Sequence, residues 1–166
     1  MKPATDARMS VAVRRAALDD APALAALAGQ LGYPSSVEQV ASRLAQILGR
    51  PDHVVFVAEI RQPNAQPGVA GWVHGFVQRV IERDPTVEIG GLVIDADQRG
   101  LGIGGLLMDQ LERWAWDTGC DAITVRSNVI RERAHAFYQR LGYALVKSQR
   151  VFRKQIDGRT TRGQDP

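Results

Sequence analysis

The spacing of apolar positions divides the chain into short strands and amphipathic helices. Val11 to Arg14 alternates apolar and polar residues, the period of a half-buried strand. Asp19 and Asp20 stand where a cap belongs, ahead of a helix over about Ala21 to Leu31 that Gly32 stops. After Tyr33-Pro34, Ser35 or Ser36 caps a second helix with Val37, Val40, Leu44, Ile47 and Leu48 on one face, and Gly49 and Pro51 end it. Two strands follow, Val54 to Ile60 and Val69 to about Ile81, joined by a turn over Gln62 to Gly68 rich in Pro, Asn and Gly. Pro85 separates that pair from an apolar strand over Val87 to Ile94. A glycine-rich turn leads into a helix with Ile103, Leu106, Leu107, Leu111, Trp114 and Ala115 on its apolar face. The rest reads as a strand over Ala122 to Arg126, a helix over about Glu132 to Leu141 stopped by Gly142, and closing strands Tyr143 to Val146 and Val151 to Ile156.

This order, β-αα-βββ-α-β-α-ββ, mixes antiparallel hairpins with one βαβ crossover and predicts an α+β, three-layer fold. One domain over 11–156 is expected, between a loose terminus over 1–10 and a flexible polar tail over 157–166. A chain of 166 residues is long enough for one useful core. No apolar run approaches the ~20 residues of a membrane helix, and Met1 to Ser10 has no signal-peptide core. The single cysteine, Cys120, has no internal disulfide partner and reads as a small buried hydrophobe. A cytoplasmic protein is expected. The net charge of +3 is mild and its basic residues are scattered, unlike a nucleic-acid arm.

The chemistry concentrates after Ile94, in Asp95-Ala96-Asp97-Gln98-Arg99-Gly100-Leu101-Gly102-Ile103-Gly104-Gly105. A strand, a glycine loop and a helix start put unpaired amides at the positive end of a helix dipole, where an anion is stabilised. The loop is not a Walker loop, because Gly104 is followed by Gly105 and Leu106 rather than Lys and Ser or Thr. Gly100, Gly102 and Gly105 match the dinucleotide pattern G-x-G-x-x-G, but Asp95 to Arg99 intervene after the strand. The next strand also ends in Ser127-Asn128 instead of an acidic residue.

Arg99, Gly102 and Gly104 form R-x-x-G-x-G behind Leu92-Val93-Ile94-Asp95, and Ser127-Asn128, Ala134, Phe137-Tyr138 and Leu141-Gly142-Tyr143 form a second block. Together these resemble the GNAT-type N-acetyltransferase family, over roughly Val11 to Ile156. The resemblance implies the GNAT acyl-CoA N-acyltransferase fold, a mixed central sheet with a splayed parallel pair. It implies acetyl-CoA as co-substrate, with the pyrophosphate on the amides of Arg99, Gly100, Leu101, Gly102, Ile103 and Gly104. Pantetheine would lie along the edge of Leu92, Val93 and Ile94, with Asn128 closing the cleft and Ala134 and Phe137 on the cofactor side. Gly90-Gly91 sits where such strands bulge, although a plain sheet defect reads the same in sequence.

The resemblance also makes Tyr138 the acid that protonates the departing thiolate. The base is open. Glu88 lies ahead of the bulge, and relatives often carry a carboxylate near it or at the position of Gly90, where this chain departs from the pattern. His74 is the other candidate; His53 and His135 read as a strand-start and a helix-surface residue. Tyr33, Trp72 and His74 are candidates for binding the acceptor, although Trp72 fits a core equally well. There is no His/Cys cluster at metal-ligand spacing, so no metal is expected. The expected activity is acetyl transfer to a primary amine of a small molecule or peptide, with no nucleic-acid or membrane partner, and a homodimer is open because relatives are often dimers. The alternatives are a non-catalytic coenzyme A-binding or partner-binding module, and a nucleotide-dependent oxidoreductase resting on the glycine match alone.

Overall fold

The computed structural model describes residues 9–62 and 65–155. The chain forms two compact units that divide after Asn128. The first is built on a five-stranded sheet in the order β1-β2-β3-β4-β5. Its strands are β1 Ser10–Arg15, β2 His53–Arg61, β3 Gly68–Val80, β4 Arg83–Ile94 and β5 Ile123–Val125. Neighbours run antiparallel except β4 and β5, which pair in parallel.

Alternation along β3 explains how the sheet is covered. Val73, Gly75 and Val77 are buried, while Trp72, His74 and Phe76 are half-buried. The buried set faces α3, Ile103–Asp117, whose Leu107 and Leu111 are fully enclosed. Contact is so close that a Cβ on Gly75 would collide with a methyl of Leu111. The other face carries α1, Ala21–Leu31, and α2, Val37–Ile47. There Leu24 and Leu44 pack on Val55 and Val57, with Val40, Ile47 and Trp72 around them. Helix, sheet, helix is the three-layer arrangement that the element order predicts.

Local chemistry fixes the element ends. Ser36, rather than Ser35, caps α2: its Oγ accepts from Gln39 N at 3.2 Å, and Gln39 Oε1 accepts from Ser36 N at 3.0 Å. Asp20 departs from expectation. It precedes α1 but its side chain does not cap that helix. It turns back to accept from Ala17 N at 2.8 Å and from both terminal nitrogens of Arg14 at 2.8 and 2.9 Å. Those hydrogen bonds hold the Asp20 carboxyl below the usual carboxylate range.

Two strand expectations are corrected. Pro85 does not separate strands; it lies inside β4, which starts at Arg83. The ladder to β3 is irregular between Gln78 and Val80, and pairing with β5 begins only at Val87, so Pro85 sits where its missing N–H costs little. The closing strands are not formed. Over residues 143–155 no strand occurs, and Leu145, Val146, Val151 and Phe152 are exposed. Ile156, the tail over 157–166 and residues 1–8 of the loose terminus lie outside the described residues. The second unit contributes α4, Glu132–Arg140, with Gly142 in the left-handed conformation just after it. Among the described residues no helix is long and apolar enough to cross a membrane.

The contact between Gly75 and Leu111 predicts non-additive mutations. Leu111→Ala should cost about 2–5 kcal/mol through the cavity it leaves, and Gly75→Ala about 1–3 kcal/mol through overpacking. The double variant should lose about 1 kcal/mol less than the sum, because the new methyl fills vacated space. Chemical denaturation of the four proteins measures this; strict additivity would mean that the two sites do not touch.

Candidate functional site

The site begins with an extra residue in β4. His74 pairs with Gly91 and Gly75 with Ile89, which leaves Gly90 without a partner on β3. This is a β-bulge, and it bends the strand and increases its twist. On the other edge, β5 pairs only with Val87, Glu88 and Ile89. Beyond the bulge, β4 continues to Ile94 paired with β3 alone, with no strand on the β5 edge among the described residues. The parallel pair is therefore splayed, and it parts at the glycines.

Both glycines leave room for rings from β3. A Cβ on Gly90 would lie 2.7 Å from Nδ1 of His74, and one on Gly91 would lie 2.8 Å from the Trp72 ring. The bulge thus turns two successive positions to the α1–α2 side, and neither can carry a side chain while those rings stay in place. Here lies a cleft of about 340 Å³ whose lining includes Tyr33, Arg43, Trp72, His74 and Gly90. The three residues singled out for the acceptor come together in it. Tyr33 is exposed at the rim. Trp72 both lines the cleft and packs on the Leu24–Leu44 cluster, so its core and site readings are compatible. Its Nε1 is buried without a hydrogen-bond partner among the described residues.

The glycine loop follows directly. Asp95 Oδ1 accepts from Asp97 N at 2.9 Å, Gln30 Oε1 accepts from Ala96 N at 2.9 Å, and Arg99 Nε donates to the Ile94 carbonyl at 3.2 Å. These bonds brace the turn against β4 and α1. Gly100 and Gly102 have φ of 85° and 77°, the left-handed region that glycine reaches without strain. Gly102 is the N-cap of α3 and no side chain caps that end. The first bond of the helix ladder is Leu106 N to Gly102 O, so the amides of Ile103, Gly104 and Gly105 stand ahead of it.

His74 is joined to His53, the strand-start residue of β2. Nδ1 of His53 and Nε2 of His74 are 3.0 Å apart, and the two rings stack with centroids 5.3 Å apart. Phe76 packs on both rings. The signal that could have found His53 is register: it pairs with Phe76, and Val55 pairs with His74, so the histidines are diagonal neighbours across the hairpin. Burial pushes His74 down to about 4, and the neighbouring His53 adds to this. His53 is lowered as well, chiefly by burial.

Glu88 pairs with Phe76 and so lies on the same sheet face as the histidines. It is buried, and its Oε2 meets Arg126 at 3.3 Å in an ion pair. It does not line the cleft, whereas His74 does. Asn128 is exposed after β5.

In the second unit, Ala134, Phe137, Tyr138 and Leu141 are half-buried while Glu132, Arg133, Ala136, Gln139 and Arg140 are exposed, so α4 carries the stripe its spacing predicts. Tyr138 packs edge-on against Phe137 and tilts against Tyr143. Burial pushes its phenol up to about 12. Among the described residues no group of His, Cys, Asp and Glu could hold a metal ion.

Comparison with known proteins agrees with this geometry. Residues 21–143 match the model of the Acetyltransferase (GNAT) family. The chain is 29% identical over 116 residues to acetyl transferase GW6a from Oryza sativa subsp. japonica, which covers 65% of this chain but only 28% of that protein's length. The fold is similar to an aminoglycoside N-acetyltransferase in complex with CoA, with TM-score 0.77 and 17% identity over 94% of this chain and 100% of that one. It is also similar to the aminoglycoside 6'-N-acetyltransferase of Acinetobacter baumannii, with TM-score 0.74 and 18% identity over 89% and 100% of the two chains. Glucosamine-6-phosphate N-acetyltransferase from Arabidopsis thaliana matches with TM-score 0.69 and 20% identity over 89% and 99%. A splayed parallel pair opening onto a glycine loop, and a family match over most of the chain, agree: the protein belongs to the GNAT acetyltransferase family.

Proposed function

We propose that the chain is an N-acetyltransferase that moves an acetyl group from acetyl-CoA to a primary amine of a small molecule or peptide. The observation that carries this reading is the free edge of β4 past Gly90, which runs between the cleft and the uncapped amides of Ile103 to Gly105. A pantetheine arm laid along Leu92 to Ile94 has backbone groups to pair with, as an added strand would. A diphosphate at the loop meets unpaired N–H groups and the positive end of α3. Solved proteins of similar fold include an aminoglycoside N-acetyltransferase in complex with CoA and a glucosamine-6-phosphate N-acetyltransferase, and both names specify transfer to nitrogen. Asn128, Ala134 and Phe137 complete the proposed cofactor contacts.

The amine nitrogen attacks the thioester carbon, the C–S bond breaks, and the thiolate takes up a proton. Tyr138 is the proposed donor. A phenol held near 12 keeps its proton throughout the neutral range and so is available as a donor while charge builds on the sulfur. The acceptor starts as an ammonium ion and ends as an amide nitrogen, so one proton more leaves the amine than the thiolate takes.

Gly102→Val tests the cofactor site. A Cβ at Gly102 meets nothing, so the cost is the backbone strain of a branched residue at φ 77°, about 1–3 kcal/mol. Calorimetric affinity for CoA should fall tenfold or more, while the melting temperature falls by only several degrees and the protein stays folded. Affinity equal to wild type would remove the loop from the binding site. Tyr138→Phe tests the transfer. With acetyl-CoA and a panel of phenylethylamine, spermidine and a short peptide, kcat should fall about a hundredfold while CoA affinity is kept. Undiminished turnover from neutral to alkaline pH would remove the acid assignment. Tight CoA binding by the wild type without thiol release for any acceptor would instead favour a binding module.

A further inference from the structure

We infer that His74 takes the ammonium proton of the acceptor amine and that His53 is its positioning residue, a role that rests on the acetyl-transfer reading above. Three observations converge on the pair. His74 lines the cleft, and its Nδ1 fills the space where a side chain at position 90 would begin. Its other ring nitrogen, Nε2, is 3.0 Å from Nδ1 of His53. That arrangement lets His53 accept the Nε2 proton of His74, which leaves the Nδ1 lone pair on the Gly90 side, at the wall of the cleft. The proposed role assigns the shared proton to His74 Nε2 with His53 Nδ1 as acceptor; the opposite pair of tautomers makes the same 3.0 Å contact, and ring nitrogen-15 shifts tell the two apart.

The surroundings favour a neutral imidazole here. Arg43 and Tyr33 approach the cleft from the helices, and no carboxylate lines it among the described residues. Glu88, on the same sheet face, is engaged by Arg126. Asp52 and Arg50 pair with each other ahead of β2, at 2.9 Å, and act on His53 in opposite directions. A cleft with a cationic side chain and no anion holds an ammonium poorly and a free amine better, which lowers the acceptor's own pKa and with it the cost of passing its proton to His74. Burial keeps His74 unprotonated well below neutrality.

The step balances simply. An N–H bond of the ammonium breaks and an N–H bond forms on His74 Nδ1; no electrons change hands. The imidazolium then shares its Nε2 proton with His53, which is half-buried at the first residue of β2, and the surplus proton passes to solvent. The thiolate is protonated separately. Net, an ammonium and a thioester give an amide, a thiol and one released proton.

Two measurements on the whole protein decide the matter. Nitrogen-15 NMR of the histidine rings at pH 6 should find His74 neutral and protonated on Nε2, with that preference lost in His53→Phe. A His74 protonated on Nδ1, or titrating near 6.5, would overturn the assignment whether or not an acceptor is known. In steady-state kinetics with phenylethylamine, spermidine and a short peptide, His74→Phe should lower kcat/KM about a hundredfold at pH 7. The deficit should close as pH approaches the amine's own pKa, where the free amine is supplied by solvent. Gly90→Ala, which keeps the imidazole but forces its Nδ1 from its place, should show the same pH-dependent deficit. A loss equal at every pH, or none, would make His74 a packing residue. If the wild type transfers nothing, the acetyl-transfer reading falls and this role with it. An active wild type with an unimpaired His74→Phe removes the role alone.

Discussion

One extra residue in β4 organises the first unit. A strand with neighbours on both edges must satisfy an antiparallel ladder to β3 and a parallel one to β5, and it can do both only while its twist suits each. Gly90 breaks the register with β3, and the pairing with β5 ends at the residue before it. A bulge increases local right-handed twist, so the strand past it turns away from its parallel neighbour. Backbone groups that a regular sheet would consume are left along Gly90 to Ile94. The positions must be glycine for a second reason: Trp72 and His74 already fill the space that two Cβ atoms would take. The same two residues free an edge and admit the rings that wall the cleft.

That coupling explains the unequal use of the two sheet faces. The odd positions of β3 are sealed under Leu107 and Leu111, where burying apolar area supplies stability at roughly 25 cal/mol per Å². The even positions carry Trp72, His74 and Phe76, half-buried, with polar atoms left in the cleft. Both faces bury apolar side chains, but only the second also holds a cleft, because α1 and α2 cover it only in part.

Much of this was legible from local pattern. Apolar period placed α1, α2 and α3 and the strands β1 to β3 to within a residue or two, because each has a clear face. Gly90-Gly91 pointed to the bulge, and the loop glycines to the left-handed turns, because those residue types answer to backbone geometry at their own positions. What local pattern could not supply depends on distant partners. Asp20 reads as a helix cap until Arg14 of β1 is brought across the turn to claim it. Pro85 reads as a strand break until β5 is seen to start pairing beyond it. Val151 and Phe152 have strand-forming side chains, yet a strand exists only with a neighbour to pair with, and over residues 143–155 none is formed. His53 and His74 are far apart in sequence and meet only through the register of a hairpin.

The histidine pair also shows what such a site asks of the fold. His74 is held near 4 when folded, against about 6.5 when unfolded, so as pH falls below 6.5 the unfolded chain binds the proton first. Stability is therefore full above that range and declines toward pH 4; the group adds nothing to stability in acid and subtracts from it. A packed apolar residue at position 74 would carry no such penalty. The cost is tolerable because the α3 face is sealed independently of the cleft, and because the neutral ring still has a hydrogen-bond partner in His53. An imidazole kept uncharged at the wall of a cleft is a poor structural element, and it fits there only because the bulge presents two positions without side chains.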